Sequence, residues 1–231
     1  MMKKVIRLGI LAGMGPRSTA PFMEMVLDEC QNQYGAKYDI DFPHIIVYSL
    51  PTPFYIDKKV DDEELSKSIK EGLEYLEATG VDIIAIPCNS AHKYFTTIVK
   101  NITIPVLNII EETMKVISPS SKTTILATGL TMETNLYQNG LESNKCEFIF
   151  KDEWQSIVNS IILEIKTNGA SERAIKIWKN LRDELLLEGI QSVIIACTDL
   201  NVIITDDKDL SIIDSSNVLA RKIINEYIKL K

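Results

Sequence analysis

Cys88 and Cys197 close two segments of the chain that read as copies of each other. The first runs Leu76-Glu77-Ala78-Thr79-Gly80-Val81-Asp82-Ile83-Ile84-Ala85-Ile86-Pro87-Cys88. The second runs Leu185-Leu186-Leu187-Glu188-Gly189-Ile190-Gln191-Ser192-Val193-Ile194-Ile195-Ala196-Cys197. Each reads as a helix, a glycine stop, an apolar strand, and a cysteine followed by a small polar residue. Aligning the cysteines also aligns Gly80 with Gly189, 109 residues apart in both pairs. Thiols at equivalent ends of two related strands can face one another across a cleft, which suits chemistry at both faces of one carbon atom. A free thiol has a pKa of about 8.5, lowered near a helix N-terminus or a positive charge. Both cysteines stand where a strand ends and a helix begins, and backbone N–H groups there favour an anion. Buried cysteine is also a common small hydrophobe, but the matched positions favour the chemical reading for the pair.

The other candidate groups gather around these two. Asn89, Ser90, Thr128, Thr131 and Thr198 are small hydrogen-bonding residues at strand ends. Helix capping explains many such residues, but grouping beside the thiols points Asn89, Ser90 and Thr198 toward a carboxylate or amine. The turn Gly13-Met14-Gly15-Pro16-Arg17-Ser18-Thr19 lacks the third glycine of a dinucleotide fingerprint and the Gly-Lys-Ser/Thr of a phosphate loop. It reads as a tight turn with Ser18 or Thr19 as cap, and its backbone N–H groups can also meet a carboxylate. Lys166 lies near a helix end, where a cation complements the dipole. His92 follows the first cysteine closely enough to orient it or to cap the helix. His44 precedes a strand and has neither role. Cys88 and His92 have ligand-like spacing, but a closed zinc site wants four ligands and no third or fourth is evident. Cys30 and Cys146 lack any such setting and read as packing residues; the four cysteines show no disulfide or zinc spacing.

These groups need a scaffold, and the sequence supplies one. Apolar runs at 5–12, 44–50, 81–87 and 104–107 read as strands, with helical patterns near 19–33, 61–79 and 91–101 between them. The scheme then repeats, with strands at 123–128, 147–150, 190–196 and 211–213 and helices near 132–140, 154–167, 172–188 and 216–230. Most strands are continuous Val/Ile/Leu runs, as burial on both faces of a parallel sheet requires, and regular alternation with helices argues for right-handed βαβ units. Ile10-Leu11-Ala12 before Gly13 and Ile125-Leu126-Ala127 before Thr128 and Gly129 make the two halves alike at their starts. The predicted fold is α/β: two similar, pseudo-symmetric lobes with mainly parallel sheets and a cleft between them. Residues 1–105 plus 208–231 form the first lobe, its last helix packing back, and 106–207 form the second. Ligands of open α/β sheets bind beyond the carboxyl ends of the strands, where Gly13, Ser49, Cys88, Thr128 and Cys197 all fall.

At 231 residues the chain can bury one large core or two small ones. Its net charge of −7 and the lack of a Lys/Arg cluster argue against nucleic acid and against an anionic membrane surface. The start resembles a leader, with Lys3, Lys4 and Arg7 ahead of an apolar run, but the run is short, Arg7 interrupts it, and no convincing cleavage site follows. No apolar stretch approaches the roughly 20 residues of a membrane span. Scattered, unpaired cysteines fit a reducing, cytoplasmic setting.

At these residues the chain resembles the aspartate/glutamate racemase family, the cofactor-independent amino-acid racemases, over essentially its whole length. Gly9-Ile10-Leu11-Ala12-Gly13-Met14-Gly15-Pro16 is similar to the family's opening motif. Pro87-Cys88-Asn89-Ser90-Ala91-His92 resembles its first cysteine motif, where threonine is commoner than Ser90. Ala127-Thr128, Thr131 and Leu136-Tyr137-Gln138 resemble its middle segment, and Ala196-Cys197-Thr198-Asp199 its second cysteine motif, usually Gly-Cys-Thr-Glu. The resemblance implies that one thiolate removes the Cα proton of an amino acid while the opposite thiol returns one to the other face, with no pyridoxal phosphate or other cofactor and no metal. It implies substrate contacts from Met14, Asn89, Ser90, Thr128, Thr131, Lys166 and Thr198, aspartate or glutamate as substrate, and a homodimer.

The chain departs from that pattern in one loop. Many aspartate-type members carry an arginine after the second strand, in a Pro-Asp-Arg-like stretch. Here the stretch reads Ser49-Leu50-Pro51-Thr52-Pro53-Phe54-Tyr55-Ile56-Asp57, with Lys58 and Lys59 as substitutes of poorer geometry. Two other readings share the scaffold. An isomerase or decarboxylase of a small dicarboxylic acid would act on an unsaturated or malonate-type acid without amino-acid exchange. A catalytically silent binder would be stabilised by an amino acid without isotope exchange.

Overall fold

A computed structural model describes residues 5–231; Lys3 and Lys4 of the leader-like start lie outside them. The first half runs β1 (Arg7–Ala12), α1 (Thr19–Tyr34), β2 (His44–Ser49), α2 (Asp62–Ala78), β3 (Ile83–Ala85), a 3-10 turn (Ser90–Tyr94), α3 (Phe95–Ile98), β4 (Val106–Leu107) and α4 (Ile109–Met114). The second runs β5 (Lys122–Ala127), α5 (Gly129–Glu133), α6 (Leu136–Ser143), β6 (Glu147–Phe148), α7 (Asp152–Asn168), α8 (Glu172–Leu187), β7 (Ser192–Ala196), β8 (Ser211–Asp214) and α9 (Ser215–Leu230).

Among the described residues all strand pairs are parallel, in two four-stranded sheets ordered β2-β1-β3-β4 and β6-β5-β7-β8. Counted within each half, the two orders are the same, so the internal likeness of the sequence is a likeness of topology. The continuous apolar runs explain the sheets. β7 is buried at every residue, and β1 and β5 at all but the first, because helices cover both faces. Strand order reverses between β1 and β3 in one sheet and between β5 and β7 in the other. Crevices open at such switch points, and these four strands lead into Gly13, Cys88, Thr128 and Cys197.

The helices are cut from amphipathic stretches with recognisable ends. In α2, Asp61 caps the N-terminus by accepting from Glu63 and Glu64 N–H, and Leu65, Ile69, Leu73 and Leu76 form the buried stripe. In α8, Ser171 caps and Ala174, Trp178, Leu181 and Leu185 are buried.

Several expectations are corrected. The helix expected at 132–140 is two helices, broken where Asn135 takes a left-handed φ of 55°. The helix expected at 91–101 is a 3-10 turn and one short α-turn, because the Cys88 carbonyl is bonded by the His92 ring, at Nδ1, while the His92 N–H turns to the Asn89 carbonyl three residues back. The six-residue α4 lies in a stretch assigned to no element. Its signal is local: Asn108 accepts from Ile110 and Glu111 N–H while its amide donates to the Glu111 carboxylate. The segment 208–231, assigned whole to the first lobe, is divided. β8 pairs in register with β7, Ser192 opposite Ser211, and so belongs to the second sheet, whereas α9 packs against α1 and α4. Ile212 and Ile213 are only partly buried, as suits an edge strand.

Gly13 ends β1 with φ +89°, and a Cβ there would fall 2.6 Å from both the N and O of Leu50. Gly13→Ala should therefore lower stability by at least about 2 kcal/mol, adding backbone strain to a clash with main chain. Gly129→Ala, where nothing lies within 4 Å, should be near neutral; urea unfolding midpoints of the two variants provide the check.

Candidate active site

Both cysteines line one cavity of about 410 Å³ beyond the carboxyl ends of the central strands. Met14, Asn89, Ser90, Thr128, Lys166 and Thr198 line it with them. Thr131 does not; it stands behind, bonded to Ser90. Gly13, Gly15, Ser49, Thr52 and Asp199 add to the polar and turn-forming parts of the wall, and Pro51, Phe54, Leu65 and Ile69 supply apolar surface.

Each cysteine turn is tied to the opposite half of the molecule. After Cys88, the Ser90 hydroxyl lies 2.9 Å from both the Thr128 and Thr131 hydroxyls, which are themselves 3.2 Å apart. Thr128 also caps α5 by accepting from the Thr131 N–H. After Cys197, the Thr198 hydroxyl donates to Ser18, whose own hydroxyl donates to the Gly15 carbonyl. Ser18 thus serves the second cysteine turn; it stands at the N-cap position of α1, but its side chain makes no capping bond, unlike the capping expected from sequence.

Burial dominates the acidity of the thiols. Desolvation pushes Cys88 up to about 11; the Ala91 and Ser90 backbone N–H groups and the Lys166 ammonium act downward, and the Asp199 carboxylate acts upward. Cys197 is buried at 7% exposure, and desolvation followed by Asp199 raises it further. Both are thiols at neutral pH, and all four cysteines are free. Cys30 sits in the core of the first half and Cys146 beside Ser118 and Ser121, away from the cavity.

Lys166 occupies the last turn of α7, but its ammonium points to the Asp199 carboxylate 2.7 Å away rather than to the helix end. Desolvation alone would lower its pKa; Asp199 outweighs this and the net shift is upward. The end of α7 is held instead by Arg17, whose guanidinium donates to the carbonyls of Lys166 and Thr167. Gly15 makes room for the ion pair, since a Cβ there would lie 2.8 Å from Lys166 Nζ and 2.9 Å from Asp199 Oδ1. That Oδ1 is buried without a hydrogen-bond partner. Asp199 was not among the expected contacts; its place two residues after Cys197 was the available signal.

Lys58 and Lys59, the suggested substitutes for a loop arginine, do not line this cavity. They face an adjoining one of about 350 Å³, with Phe54 and Thr128 shared between the two, and Lys58 sits over the Tyr55 ring. Among the described residues, Lys166 is the only cation of the main lining. Among the described residues no group of three or more His, Cys, Asp or Glu is placed to share a metal ion, and no helix is long and apolar enough to cross a membrane.

His92 is buried and bonded on both nitrogens. Nε2 accepts from the Ile109 N–H at 3.2 Å, so Nδ1 carries the hydrogen and donates to the Cys88 carbonyl at 2.8 Å. It therefore fixes the Cys88 turn and caps a helix as well, namely α4 rather than its own.

The model of the family described as Asp/Glu/hydantoin racemase matches residues 11–223. The chain belongs to this family. A curated relative, the broad specificity amino-acid racemase RacX of Bacillus subtilis (strain 168), is 44% identical over 223 residues, which is 96% of this chain and 98% of the relative. Two solved structures are similar at 26% identity. The Picrophilus torridus aspartate racemase has a TM-score of 0.82, covering 96% of this chain and 94% of its own. An aspartate racemase homologue from Pyrococcus horikoshii OT3 has a TM-score of 0.75, covering 95% and 98%. The protein is a racemase, an isomerase, built from two α/β lobes.

Two groups in this racemase, the buried His92 and the half-buried Asp214, give stability opposite pH slopes. Desolvation lowers His92 to about 4 from 6.5, so native stability falls as pH drops through that interval. Desolvation raises Asp214, the cap of α9, to about 6 from 3.8, so stability rises as pH drops through that one. Asp214→Asn keeps a capping side chain and removes the second slope. Between pH 6 and pH 4 its melting temperature should fall more steeply than that of the wild type, as calorimetry can measure.

Proposed function

We propose that the protein racemises free amino acids without a cofactor, Cys88 and Cys197 exchanging the Cα proton from opposite faces. The observation that carries this reading is two free thiols, from equivalent strand ends of two lobes, in the wall of one cavity. A thiolate on one side takes the Cα proton and becomes a thiol. The thiol on the other side gives its proton to the opposite face of the carbanion and becomes the thiolate. The roles exchange for the reverse direction. Cys88, whose pKa is raised less, ionises first. A substrate ammonium entering this desolvated cavity favours that ionisation, as Lys166 already does.

The α-carboxylate must gain stabilisation as the carbanion forms. Asn89 and Ser90, with backbone N–H groups near Met14, are the donors in reach, since the Thr198 hydroxyl hydrogen goes to Ser18, and Thr128 and Thr131 hold Ser90. Asp199 Oδ1 supplies an unspent acceptor for the ammonium.

For the side chain, aspartate and glutamate are the substrates that the family resemblance names first. The cavity argues for a wider set. Its cation Lys166 is already paired with Asp199, the loop offers no arginine fork for a second carboxylate, and Phe54, Pro51, Leu65 and Ile69 give apolar contact. Breadth is also what the name of the Bacillus subtilis relative states. The same reading includes a homodimer in a reducing, cytoplasmic setting.

The test uses an acidic, a small and a basic substrate: L-aspartate, L-alanine and L-lysine. Wild-type protein should form the D-enantiomer of at least one, and Cys88→Ser and Cys197→Ser should each cut kcat by about 1000-fold or more, as loss of an acid–base group does. Full racemisation by either variant would sink the two-thiol reading.

A further inference from the structure

Asn89 is 2% exposed and follows Cys88 directly, and its side-chain amide is held by two residues that do not line the cavity. Tyr137, from α6, donates its hydroxyl hydrogen to Asn89 Oδ1 at 2.6 Å. Asn89 Nδ2 donates to the Ser215 hydroxyl at 2.9 Å, at the first residue of α9. Tyr137 and Ser215 are themselves buried, at 1% and 0% exposure.

Donor counting fixes the direction of this chain. The Ser215 hydroxyl has one hydrogen, given to the Ile195 carbonyl at 2.8 Å. Toward Asn89 it can therefore only accept, so the amide nitrogen must face Ser215 and the amide oxygen must face Tyr137. One N–H of Nδ2 is spent on Ser215, and the other remains for a ligand. Rotating the amide by half a turn would set Nδ2 against the Tyr137 hydroxyl and Oδ1 against Ser215, which has no hydrogen to offer. It would also present an oxygen, not a donor, to a substrate carboxylate. Ile195 lies in β7, two residues before Cys197, so the chain runs from the turn of one cysteine to the strand carrying the other.

We infer that Tyr137 and Ser215 are positioning residues for the reaction, holding the Asn89 amide as a donor toward the substrate α-carboxylate. This rests on the reading of Asn89 as a carboxylate ligand. The two hydroxyls touch no substrate; they remove an orientation of the amide that would repel it, so that the donor is in place before the carbanion forms.

The experiment is a set of mutant cycles read by racemisation of whichever of L-aspartate, L-alanine and L-lysine the wild type converts fastest. Tyr137→Phe and Ser215→Ala should each lower kcat/KM about 10- to 100-fold, and neither should lower it further in an Asn89→Ala background. A merely structural role would instead give losses that multiply with that of Asn89→Ala, and multiplied losses overturn the inference. Wild-type kcat/KM in a folded Tyr137→Phe or Ser215→Ala also overturns it. Should Tyr137→Phe fail to give the wild-type circular dichroism spectrum, Ser215→Ala decides alone. Undiminished activity of Asn89→Ala itself would refute the carboxylate reading, a failure distinct from that of the positioning claim.

Discussion

Removing two thiols from water is the constraint around which the rest of this molecule is arranged. Burial raises both pKa values, which keeps both protons in place and opposes the thiolate that the proposed proton abstraction needs. The surroundings are set partly against that rise. Backbone N–H groups of Ser90 and Ala91 face the Cys88 sulfur, that of Asp199 faces Cys197, and Lys166 acts downward on both. Asp199 acts upward on both while neutralising Lys166. On the proposed mechanism an incoming ammonium completes the activation, so that a base forms where an amino acid is bound.

The second constraint is that two lobes must hold their cysteines in the wall of one cavity. The sheets share one strand order, and each cysteine turn bonds to the other lobe, Ser90 to Thr128 and Thr131, Thr198 to Ser18. Arg17 reaches across to the end of α7, and α9 follows a strand of the second sheet yet packs on helices of the first half. The hydroxyl ties among Ser90, Thr128, Thr131, Thr198 and Ser18 are short polar contacts between buried groups, where loss of one partner strands the other. They make the cavity a property of the interface rather than of either lobe.

Much of this was legible in the sequence because the signals are local or periodic. Parallel strands announced themselves as apolar runs, helices as caps and stripes, and the two cysteine motifs by their shared spacing from Gly80 and Gly189. What was not legible depends on partners distant in the chain. The tight turn after Cys88 follows from a histidine ring taking the bond an amide would make. The pairing of Lys166 with Asp199, 33 positions apart, and the bond of Asn89 to Ser215, 126 apart, leave no trace in either segment alone. Lys58 and Lys59 were candidates by charge and proximity in sequence; the path of the loop after Phe54 turned them into the neighbouring cavity. β8 was visible as a strand, but its sheet was not, because a four-residue run carries no record of its neighbour.

Opposed thiols leave an isotopic signature that a single base does not. Racemisation begun from one enantiomer in D2O, with both enantiomers separated and analysed after a few per cent conversion, reads it out. Two thiols on opposite faces put solvent deuterium at Cα of the product from the first turnovers, while recovered substrate keeps its hydrogen. Deuterium in recovered substrate at the rate found in product would show one group serving both faces, and would contradict the assignment of Cys88 and Cys197 as paired acid and base.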